Sequence, residues 1–350
     1  MSILGTSKMI YRYLGKSGLK VSALSFGNWI TQHEADSQTK SDAIIRKCYE
    51  GGVNFYDTAE GYGLGIAEIV LGNSLKKLNV PREDLVVSTK MFFGGEGINS
   101  TGLSRKHIIE GVNKSLKRLQ LDYVDVVFCH RPDYEVPLEE TCVAMDSLIR
   151  TGKAFYWGTS EWPAQRIMEA YMICERLGLV KPVVEQPHYN MFTRQRFEVE
   201  YGVLFDNYRM GSTVWSPLAG GVLTGKYMNK VDGDTRYAQS TGRARDRMDV
   251  MIGPGKKEKT DEILRKLGEI AKGFDASLAQ LALAWVLYNK DVSTAIFGAS
   301  RESQVEDNLK AIDVLKKLTP EVMEIIEEIL DNRPATDIDY RKWESFPPRR

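Results

Sequence analysis

Residues 104–130, SRKHIIEGVNKSLKRLQLDYVDVVFCH, contain one helix followed by one strand. The helix is expected to begin at Ser104, a residue type that caps helix N-termini, and apolar residues then recur at helical spacing over 108–119. Residues 123–128 are β-rich and mostly non-alternating, which is typical of a strand buried on both faces. The titratable residue His130 follows that strand. The segment therefore predicts a helix–strand unit with a polar residue at the carboxyl end of its strand.

Similar units recur along nearly the whole chain. Buried strands are predicted at 21–26, 53–56, 85–88, 123–128, 154–157, 183–185, 212–215 and 293–297. Further amphipathic helices are predicted at 41–50, 66–78, 138–151, 163–177, 197–208, 258–273, 278–289 and 302–312. About eight strands that alternate with about as many helices indicate a parallel sheet, which is either open and doubly wound or closed into a barrel.

Two features favour the barrel. Polar residues follow nearly every strand, whereas an open sheet would concentrate them near one switch point. The glycine-rich fingerprint of a Rossmann domain is also missing, because in residues 61–65, GYGLG, the third glycine falls one position early. We therefore predict an α/β fold, a (β/α)8 TIM barrel with an extra C-terminal helix at 320–330 and a long loop at 233–257, after strand 7. The polar strand-end residues are Asp57, Lys90, His130, Ser160, Gln186, Ser216 and Ser300.

Composition excludes several classes of function. Lys and Arg number 47 and Asp and Glu number 47, so the net charge is zero and no basic field is available for a nucleic-acid partner or an anionic membrane. The four cysteines are widely spaced, which argues against structural zinc and a disulfide framework and suits a reducing compartment. We find no signal peptide and no apolar run of about 18 residues. The expectation is a cytoplasmic protein without a metal site or direct membrane insertion.

Domain organisation is predicted to be simple. We find no linker or low-complexity break, so residues 1–350 are expected to form a single domain with a core at about 9–334 and an irregular C-terminal tail. Residues 220–226, GGVLTGK, match the spacing of a phosphate-binding P-loop, but Tyr227 follows where Ser or Thr would hold Mg²⁺. This segment is therefore not interpreted as a P-loop.

Four residues could together deliver a proton to a carbonyl group: Asp57, Tyr62, Lys90 and His130. Hydride reduction of a carbonyl needs a proton donor facing the oxygen, and a tyrosine with an ordinary pKa of about 10 is a weak acid. A neighbouring lysine favours the phenolate, an aspartate can hold that lysine, and a histidine can polarise the carbonyl. Each residue alone has an ordinary structural explanation, such as a turn cap or a solvated side chain. Their position at one barrel mouth favours the catalytic one.

The same residues lie in segments that resemble the aldo-keto reductases, over about residues 9–334. Within that superfamily the chain is most similar to the branch of voltage-gated potassium channel β subunits and their plant and microbial relatives. The wider resemblance rests on 11–26 (YRYLGKSGLKVSALSF), 55–62 (FYDTAEGY), 88–90, 119–132 (LQLDYVDVVFCHRP), 157–160 (WGTS) and 215–226 (WSPLAGGVLTGK). The finer one rests on 102–111 (GLSRKHIIEG), 167–171 (IMEAY) and 332–334.

The resemblance implies an NADPH-dependent reductase of aldehydes or ketones in which Asp57, Tyr62, Lys90 and His130 are catalytic. It implies NADP(H) bound in an extended form at the barrel mouth. Asn28 and Trp29 would lie near the nicotinamide with Asp57, and Ser160 and Gln186 would hold its carboxamide. The remaining implied contacts fall into three groups. The segment that runs along the cofactor is Trp215, Ser216, Pro217, Leu218, Ala219 and Gly220, and Lys226 and Arg236 would bind the phosphates. The adenosine end would contact Gly298, Ser300, Gln304, Asp307 and Asn308, with Ser300 near the 2′-phosphate.

Three departures from the family pattern bear on function. Channel subunits usually carry Asn where this chain has His130, which favours an active reductase. Glu161 replaces a common Arg, and Asp307 replaces a common Glu. The resemblance also implies a homotetramer, and it leaves open a potassium channel accessory subunit or redox sensor that holds NADPH with little turnover. A barrel hydrolase that uses Glu161 and Glu185 is a further alternative, although nothing in the sequence indicates the carboxyl separation that it needs.

Overall fold

The computed structural model describes residues 7–29, 37–228 and 236–336. Ten strands occur there, and they are named in chain order. They are β1 Tyr11–Tyr13, β2 Lys20–Ser22, β3 Leu24–Gly27, β4 Phe55–Asp57, β5 Val86–Met91, β6 Val124–Cys129, β7 Ala154–Ser160, β8 Val184–Gln186, β9 Gly211–Trp215 and β10 Thr294–Phe297. Strands β3 to β10 pair in parallel and close, since β10 pairs with both β9 and β3. The predicted eight-stranded barrel is therefore confirmed.

Helices occupy the connections between the strands. They are α1 Ser37–Glu50, α2 Ile66–Leu78, α3 Arg105–Leu119, α4 Leu138–Arg150, α5 Ala164–Leu177, α6 Gly202–Tyr208, α7 Arg236–Gln239, α8 Gly242–Ile252, α9 Lys257–Gly273, α10 Leu278–Tyr288, α11 Glu302–Leu309, α12 Ala311–Leu315 and α13 Pro320–Leu330. Ser104 caps α3, as predicted, because its side chain accepts a hydrogen bond from the backbone N–H of His107. The predicted C-terminal helix is α13, with Pro320 at its first position, where a missing N–H costs nothing.

The predicted strand 21–26 is wrong as a single element. Its first half, β2, pairs antiparallel with β1 in a hairpin, and its second half, β3, is the first barrel strand. Two hydrogen bonds between Ser22 and Asn54 hold the chain where it changes direction. The backbone N–H of Ser22 donates to the side-chain oxygen of Asn54 at 2.7 Å, and the backbone N–H of Asn54 donates to the hydroxyl oxygen of Ser22 at 3.1 Å. The hairpin residues Leu14 and Val21 are fully buried beneath the barrel. The hairpin therefore closes the amino-terminal end of the barrel.

The predicted loop 233–257 contains helical structure in its described part. After α7, helix α8 buries Met248, Met251 and Ile252, which lie at helical spacing, and the hydroxyl of Thr260 donates a hydrogen bond to the carbonyl of Met251. The predicted helix 197–208 is also divided, into a π-type turn at Arg196–Glu200 followed by α6. In both places the helical spacing of apolar residues was a usable signal, but its boundaries depended on tertiary packing.

No single helix in 7–29, 37–228 or 236–336 is long and apolar enough to cross a membrane. Helices α9 and α10 reach the required length and composition only as a pair, and their axes meet at 87°.

Candidate active site

The two-residue period of the strands aims the predicted catalytic side chains into the barrel. Phe55 of β4, Val86 of β5 and Phe128 of β6 belong to the small apolar cluster inside the barrel, next to the hairpin that closes its amino-terminal end. Two residues further along the same strands come Asp57, Ser88 and His130, and the next inward position of β5 is Lys90. Because alternate residues point to the same side of a strand, these polar side chains form the layer above the apolar plug.

Lys90 lies at the centre of that layer, and its side chain is fully buried. Its Nζ donates hydrogen bonds to Oδ2 of Asp57, to the carbonyl oxygen of Thr58 at 2.7 Å and to the hydroxyl of Tyr62 at 3.3 Å. Oδ1 of Asp57 accepts from Ser88 Oγ at 2.7 Å and from Gln186 Nε2 at 3.1 Å. Every polar group of the pair is thus satisfied, and the Tyr62 hydroxyl completes the lysine's set of partners.

The charge on Lys90 is maintained by its neighbours. Burial by itself lowers the pKa of the ammonium group, but the charge of Asp57 and hydrogen bonds to Asp57 and Tyr62 outweigh burial and raise the pKa of Lys90 above its usual value. Lys90 is therefore a permanent cation at neutral pH. A fixed positive charge is what stabilises a phenolate that forms beside it.

Tyr62 begins a short 3-10 turn, Tyr62–Gly65, between β4 and α2. Burial raises the pKa of Tyr62, the charge of Lys90 lowers it, and the charge of Asp57 raises it, so that the net direction is upward. The sequence argument expected the lysine to make this phenol a stronger acid, and the lysine does act in that direction. The net pKa nevertheless rises because the cost of burying a phenolate is larger. Tyr62 consequently holds its proton at neutral pH.

His130 faces Tyr62 at a ring-centroid distance of 5.7 Å, with the two rings nearly perpendicular. Burial, together with the charges of Lys90 and Arg131, lowers the pKa of His130 well below its usual value. The imidazole is therefore neutral, with one ring N–H to donate. Its Nδ1 is buried and has no hydrogen-bond partner within the described segments. A neutral histidine beside a protonated tyrosine presents two hydrogen-bond donors to a single oxygen atom.

Two aromatic side chains flank these donors. Trp29 lies 6.4 Å from Tyr62, and Phe93 lies 5.3 Å from His130, between ring centroids. Both remain 42% exposed, so they are walls of an open mouth and not parts of the core. Phe93 was missed by the sequence analysis because it lies in the loop after β5, where no periodicity fixes the direction of a side chain.

Uncharged amides and a hydroxyl also lie at the mouth. Ser160 ends β7 and its hydroxyl donates to the backbone carbonyl of Gln186 at 3.0 Å, while the Gln186 amide donates to Asp57 and, at 3.2 Å, to Thr213. The side chain of Asn28 donates to the carbonyl of Ala67 at 2.6 Å. Neutral donors and acceptors of this kind suit a carboxamide. The structure thus brings Asn28, Ser160 and Gln186 to the same mouth as the four predicted catalytic residues.

The segment after β9 has an unusual backbone. Ser216 and Ala219 have positive φ angles of 54° and 50°, and Gly220 and Gly221 follow with 66° and 95°. Positive φ is costly for residues with a Cβ, and such strain is concentrated at functional sites. An added Cβ at Gly220 would lie only 2.8 Å from the sulfur of Met248, so α8 packs closely over this segment. Trp215, Ser216, Pro217, Leu218, Ala219 and Gly220 form this strained exit from the barrel.

Lys226 lies at the end of the same segment, with its Nζ 4.9 Å from the ring centroid of Tyr227. Arg236 begins α7, and its side chain lies outside the described part of the structure, so its predicted contact with a phosphate stays a prediction. A lysine beside glycine-rich backbone suits a phosphate group. With the amides near Ser160, the residues present therefore fit a nicotinamide dinucleotide spread across the mouth.

The predicted adenosine end follows β10. Gly298 comes directly after the strand, and the backbone N–H and the hydroxyl of Ser300 both donate to Gln304 Oε1, at 2.8 and 3.3 Å. Asp307 accepts hydrogen bonds from Ser277 at 3.0 Å and Gln280 at 2.6 Å, where α10 begins, and Asn308 is buried. Asp307 thus ties α11 to α10, a structural role that the sequence did not indicate. Its contact with adenosine stays a prediction.

Glu161 follows β7 and accepts two hydrogen bonds at the barrel mouth. Its Oε1 accepts hydrogen bonds from the backbone N–H of His188 at 2.6 Å and from the indole N–H of Trp215 at 3.1 Å. The His188 ring stacks on Trp215 at 4.2 Å, and the guanidinium of Arg247 from α8 lies over Trp215 at 4.8 Å. Glu161 itself has a positive φ of 60°. Glu161 therefore fixes the orientation of Trp215.

Glu185 is fully buried and does not pair with Glu161 across an open cleft. It accepts hydrogen bonds from the Thr159 hydroxyl, from the backbone N–H of Trp162 at 3.3 Å and from the Tyr201 hydroxyl at 3.4 Å. Burial raises the pKa of Glu185 to about 8. A carboxyl group enclosed in this way cannot contact a sugar, so the arrangement does not support the hydrolase alternative.

The comparisons with known proteins agree with this geometry. The model of the aldo/keto reductase family matches residues 23–331. A probable voltage-gated potassium channel subunit beta of Arabidopsis thaliana is 48% identical over 338 residues, which are 95% of this chain and 100% of that protein. The corresponding protein of Oryza sativa subsp. japonica is 48% identical over 337 residues, with coverage of 95% and 100%. A putative voltage-gated potassium channel subunit beta of Schizosaccharomyces pombe is 45% identical over 335 residues, with coverage of 95% and 96%.

A match over most of the barrel and identities well above 30% agree with the fold and with the predicted resemblance. The chain belongs to the aldo/keto reductase family, a family of oxidoreductases that generally bind NAD(P)H.

Proposed function

We propose that this protein reduces aldehydes or ketones to alcohols with NADPH, and that Tyr62 donates the proton. The observation that carries the proposal is the contact of Lys90 with both Asp57 and the Tyr62 hydroxyl, at 3.3 Å for the latter, beside a neutral His130. A structural ion pair needs neither a phenol at the barrel mouth nor a neutral imidazole facing it.

The residues divide the work as follows. When bound, a reduced nicotinamide supplies the hydride for the carbonyl carbon. The Tyr62 hydroxyl and the N–H of neutral His130 hold the carbonyl oxygen, and as negative charge develops there Tyr62 transfers its proton to that oxygen. Lys90 stabilises the resulting phenolate, Asp57 keeps Lys90 in place, and solvent then returns a proton to Tyr62. The raised pKa of Tyr62 ensures that the proton is present before the reaction begins.

The test is aldehyde-dependent loss of NADPH absorbance, measured for the wild type and for Tyr62→Phe with several aldehydes. Phe keeps the ring and removes only the hydroxyl, so the variant should bind NADPH normally and lose turnover. Turnover by Tyr62→Phe at the wild-type rate would show that another group supplies the proton. Absence of turnover by the wild type with every carbonyl compound tried would contradict the proposed reaction itself.

NADPH over NADH is part of the proposal. It is supported by the position of Ser300 just before α11, because the N-terminus of a helix suits a phosphate. Titration of protein fluorescence with each cofactor should give the lower dissociation constant for NADPH. Equal affinities would contradict this preference. We also propose a cytoplasmic location and a single domain over residues 1–350 with its core at about 9–334.

A second candidate function is that of a potassium channel accessory subunit, assembled as a homotetramer, that holds NADPH with little turnover. It is favoured by the relatives of 45–48% identity, each of which carries a potassium channel β-subunit name. His130 argues for turnover, since it supplies the second donor to the carbonyl oxygen. Light scattering after size-exclusion chromatography tests the tetramer. Co-purification with a channel in the absence of any aldehyde reduction would favour this second function over the first.

A further inference from the structure

Arg131 follows His130 directly, in the loop after β6. Its Nη1 donates hydrogen bonds to the carbonyl of His130 and, at 3.3 Å, to the hydroxyl of Ser160 at the end of β7. The guanidinium is thus held between the carboxyl ends of two adjacent strands, beside the catalytic histidine, and the residue is only partly exposed. The mechanism proposed above does not use it.

The described residues contain no carboxylate within 4.0 Å of this cation. Three other arginines that are partly or largely buried each have one, at 2.7 Å for Arg82 with Asp125, 2.6 Å for Arg118 with Glu68 and 2.8 Å for Arg194 with Glu327. Within the described part of the chain, Arg12 also lacks a carboxylate, but both of its Nη atoms donate to backbone carbonyls, among them those of Val292 and Leu287. Across the described ranges, Nε and Nη2 of Arg131 also make no hydrogen bond. A partly desolvated guanidinium with an unused donor edge favours an anion, and a planar carboxylate matches that edge with two parallel hydrogen bonds.

The position of Arg131 separates this anion from a cofactor phosphate. Lys226, the lysine that suits a phosphate, follows β9, three strands further around the barrel from β6. Ser160 and Gln186, with their uncharged groups, lie between the two cations. The charge of Arg131 also reaches the catalytic residues, since it lowers the pKa of both Tyr62 and His130. An anion bound at Arg131 therefore lies at the reacting end of the mouth.

We infer that Arg131 binds a carboxylate carried by the carbonyl substrate, so that the preferred substrates are aldehydes or ketones with a carboxylate a short distance from the carbonyl group. This inference rests on the proposed reductase function and names its substrate class. Trp29 and Phe93, the exposed aromatic walls, accommodate the apolar part that joins the two groups.

The experiment compares 4-carboxybenzaldehyde with 4-formylbenzamide, a neutral compound of nearly the same shape, as substrates of the wild type and Arg131→Gln. In the variant, kcat/KM for the carboxylate should fall about 10- to 100-fold, whereas kcat/KM for the amide should change less than about threefold. Arg131→Lys should lose part of the preference, because it keeps the charge without the paired donors. Arg265→Gln, a change at an exposed arginine of α9, is the matched control and should leave both values unchanged.

Three outcomes would overturn the inference. One is an equal loss for both compounds in Arg131→Gln. Another is a wild type without preference for the carboxylate. A third is a variant whose NADPH affinity falls tenfold, which would assign Arg131 to the cofactor.

Binding of terephthalate to the wild type and Arg131→Gln, followed by calorimetry with NADP⁺ present, keeps the test independent of turnover. If neither aldehyde is reduced, the proposed function fails, yet Arg131-dependent binding of terephthalate would still support the carboxylate site. Equal binding by the two proteins would overturn it.

Discussion

Two ion pairs, one fully and one largely buried, lie at opposite ends of the barrel strands, and they differ in what surrounds them. At the carboxyl end, Lys90 and Asp57 have side-chain exposures of 0% and 4%, and the lysine's further partners are a backbone carbonyl and the Tyr62 hydroxyl. Toward the amino-terminal end, Arg82 and Asp125 have exposures of 24% and 10%. There Arg82 also donates to the carbonyls of Leu85 and Tyr123, and Asp125 accepts the backbone N–H of Val87.

The difference separates a structural pair from the pair that we propose to be catalytic. Arg82 and Asp125 direct their remaining hydrogen bonds to backbone groups, which fixes where β5 and β6 begin. Lys90 directs one of its hydrogen bonds to a titratable hydroxyl at an open mouth, next to a neutral imidazole. A buried ion pair is by itself weak support for function or for stability, and the third partner determines which role it has.

The largest effect is expected for the mouth pair. Lys90→Met removes the cation that stabilises the Tyr62 phenolate, so kcat for aldehyde reduction should fall about 10²- to 10³-fold. Because the two residues act as one unit, the Lys90→Met and Tyr62→Phe double variant should be little slower than Tyr62→Phe alone. Steady-state kinetics of the three variants measure this, with NADPH binding as the check on folding. Fully multiplicative losses would mean that Lys90 and Tyr62 act separately.

The matched change at the other pair should act on stability. Arg82→Met leaves Asp125 buried without its cation and should lower the free energy of unfolding by about 2 kcal/mol, less than for a fully enclosed pair because Arg82 is partly exposed. Urea unfolding gives the stability, and kcat per folded molecule should remain at the wild-type value. A kcat loss as large as that of Lys90→Met would remove the distinction between the two pairs.

A third substitution shows how much stability is lost when a single helix cap is removed. Ser104→Ala removes the side chain that accepts the His107 N–H at the start of α3, and it should cost about 1 kcal/mol of stability. Thermal and urea unfolding measure the loss, and activity per folded molecule should not change. No loss of stability would mean that water replaces the cap.

The smallest effect concerns pH. The pKa of His130 is lowered well below its usual value of about 6.5, so this residue stays neutral as the pH falls through that value. The pKa of Tyr62 is raised, so this residue stays protonated up to at least about pH 10. We therefore expect kcat/KM for a neutral aldehyde to be nearly constant from about pH 6 to about pH 9, across the usual histidine pKa. A fall through the usual histidine pKa would contradict a neutral His130.

Much of the site could be predicted from the sequence because strand-end positions are local. Five of the site residues end or follow predicted strands: Asp57, Lys90, His130, Ser160 and Gln186. Because alternate residues of a strand point to the same side, each of these side chains is directed into the barrel. What the sequence could not give were contacts between loops, such as that of Glu161 with the Trp215 indole, or the place of Phe93 beside His130. Those depend on loop backbone angles, including a positive φ at Glu161, that no spacing encodes.

The sequence by itself determined the alternation of strands and helices, the barrel and the four candidate catalytic residues, since these follow from periodicity and from residues at or near strand ends, while its motifs carried the family resemblance. Only the tertiary structure decided the protonation states and the charge balance at the mouth. The pKa of Tyr62 rises although Lys90 lies beside it, because burial is set by everything that packs around a phenol. The structure also shows that Arg131 has no counter-ion among the described residues. The sequence could not show this, because the groups around Arg131 come from strands that only barrel closure brings together.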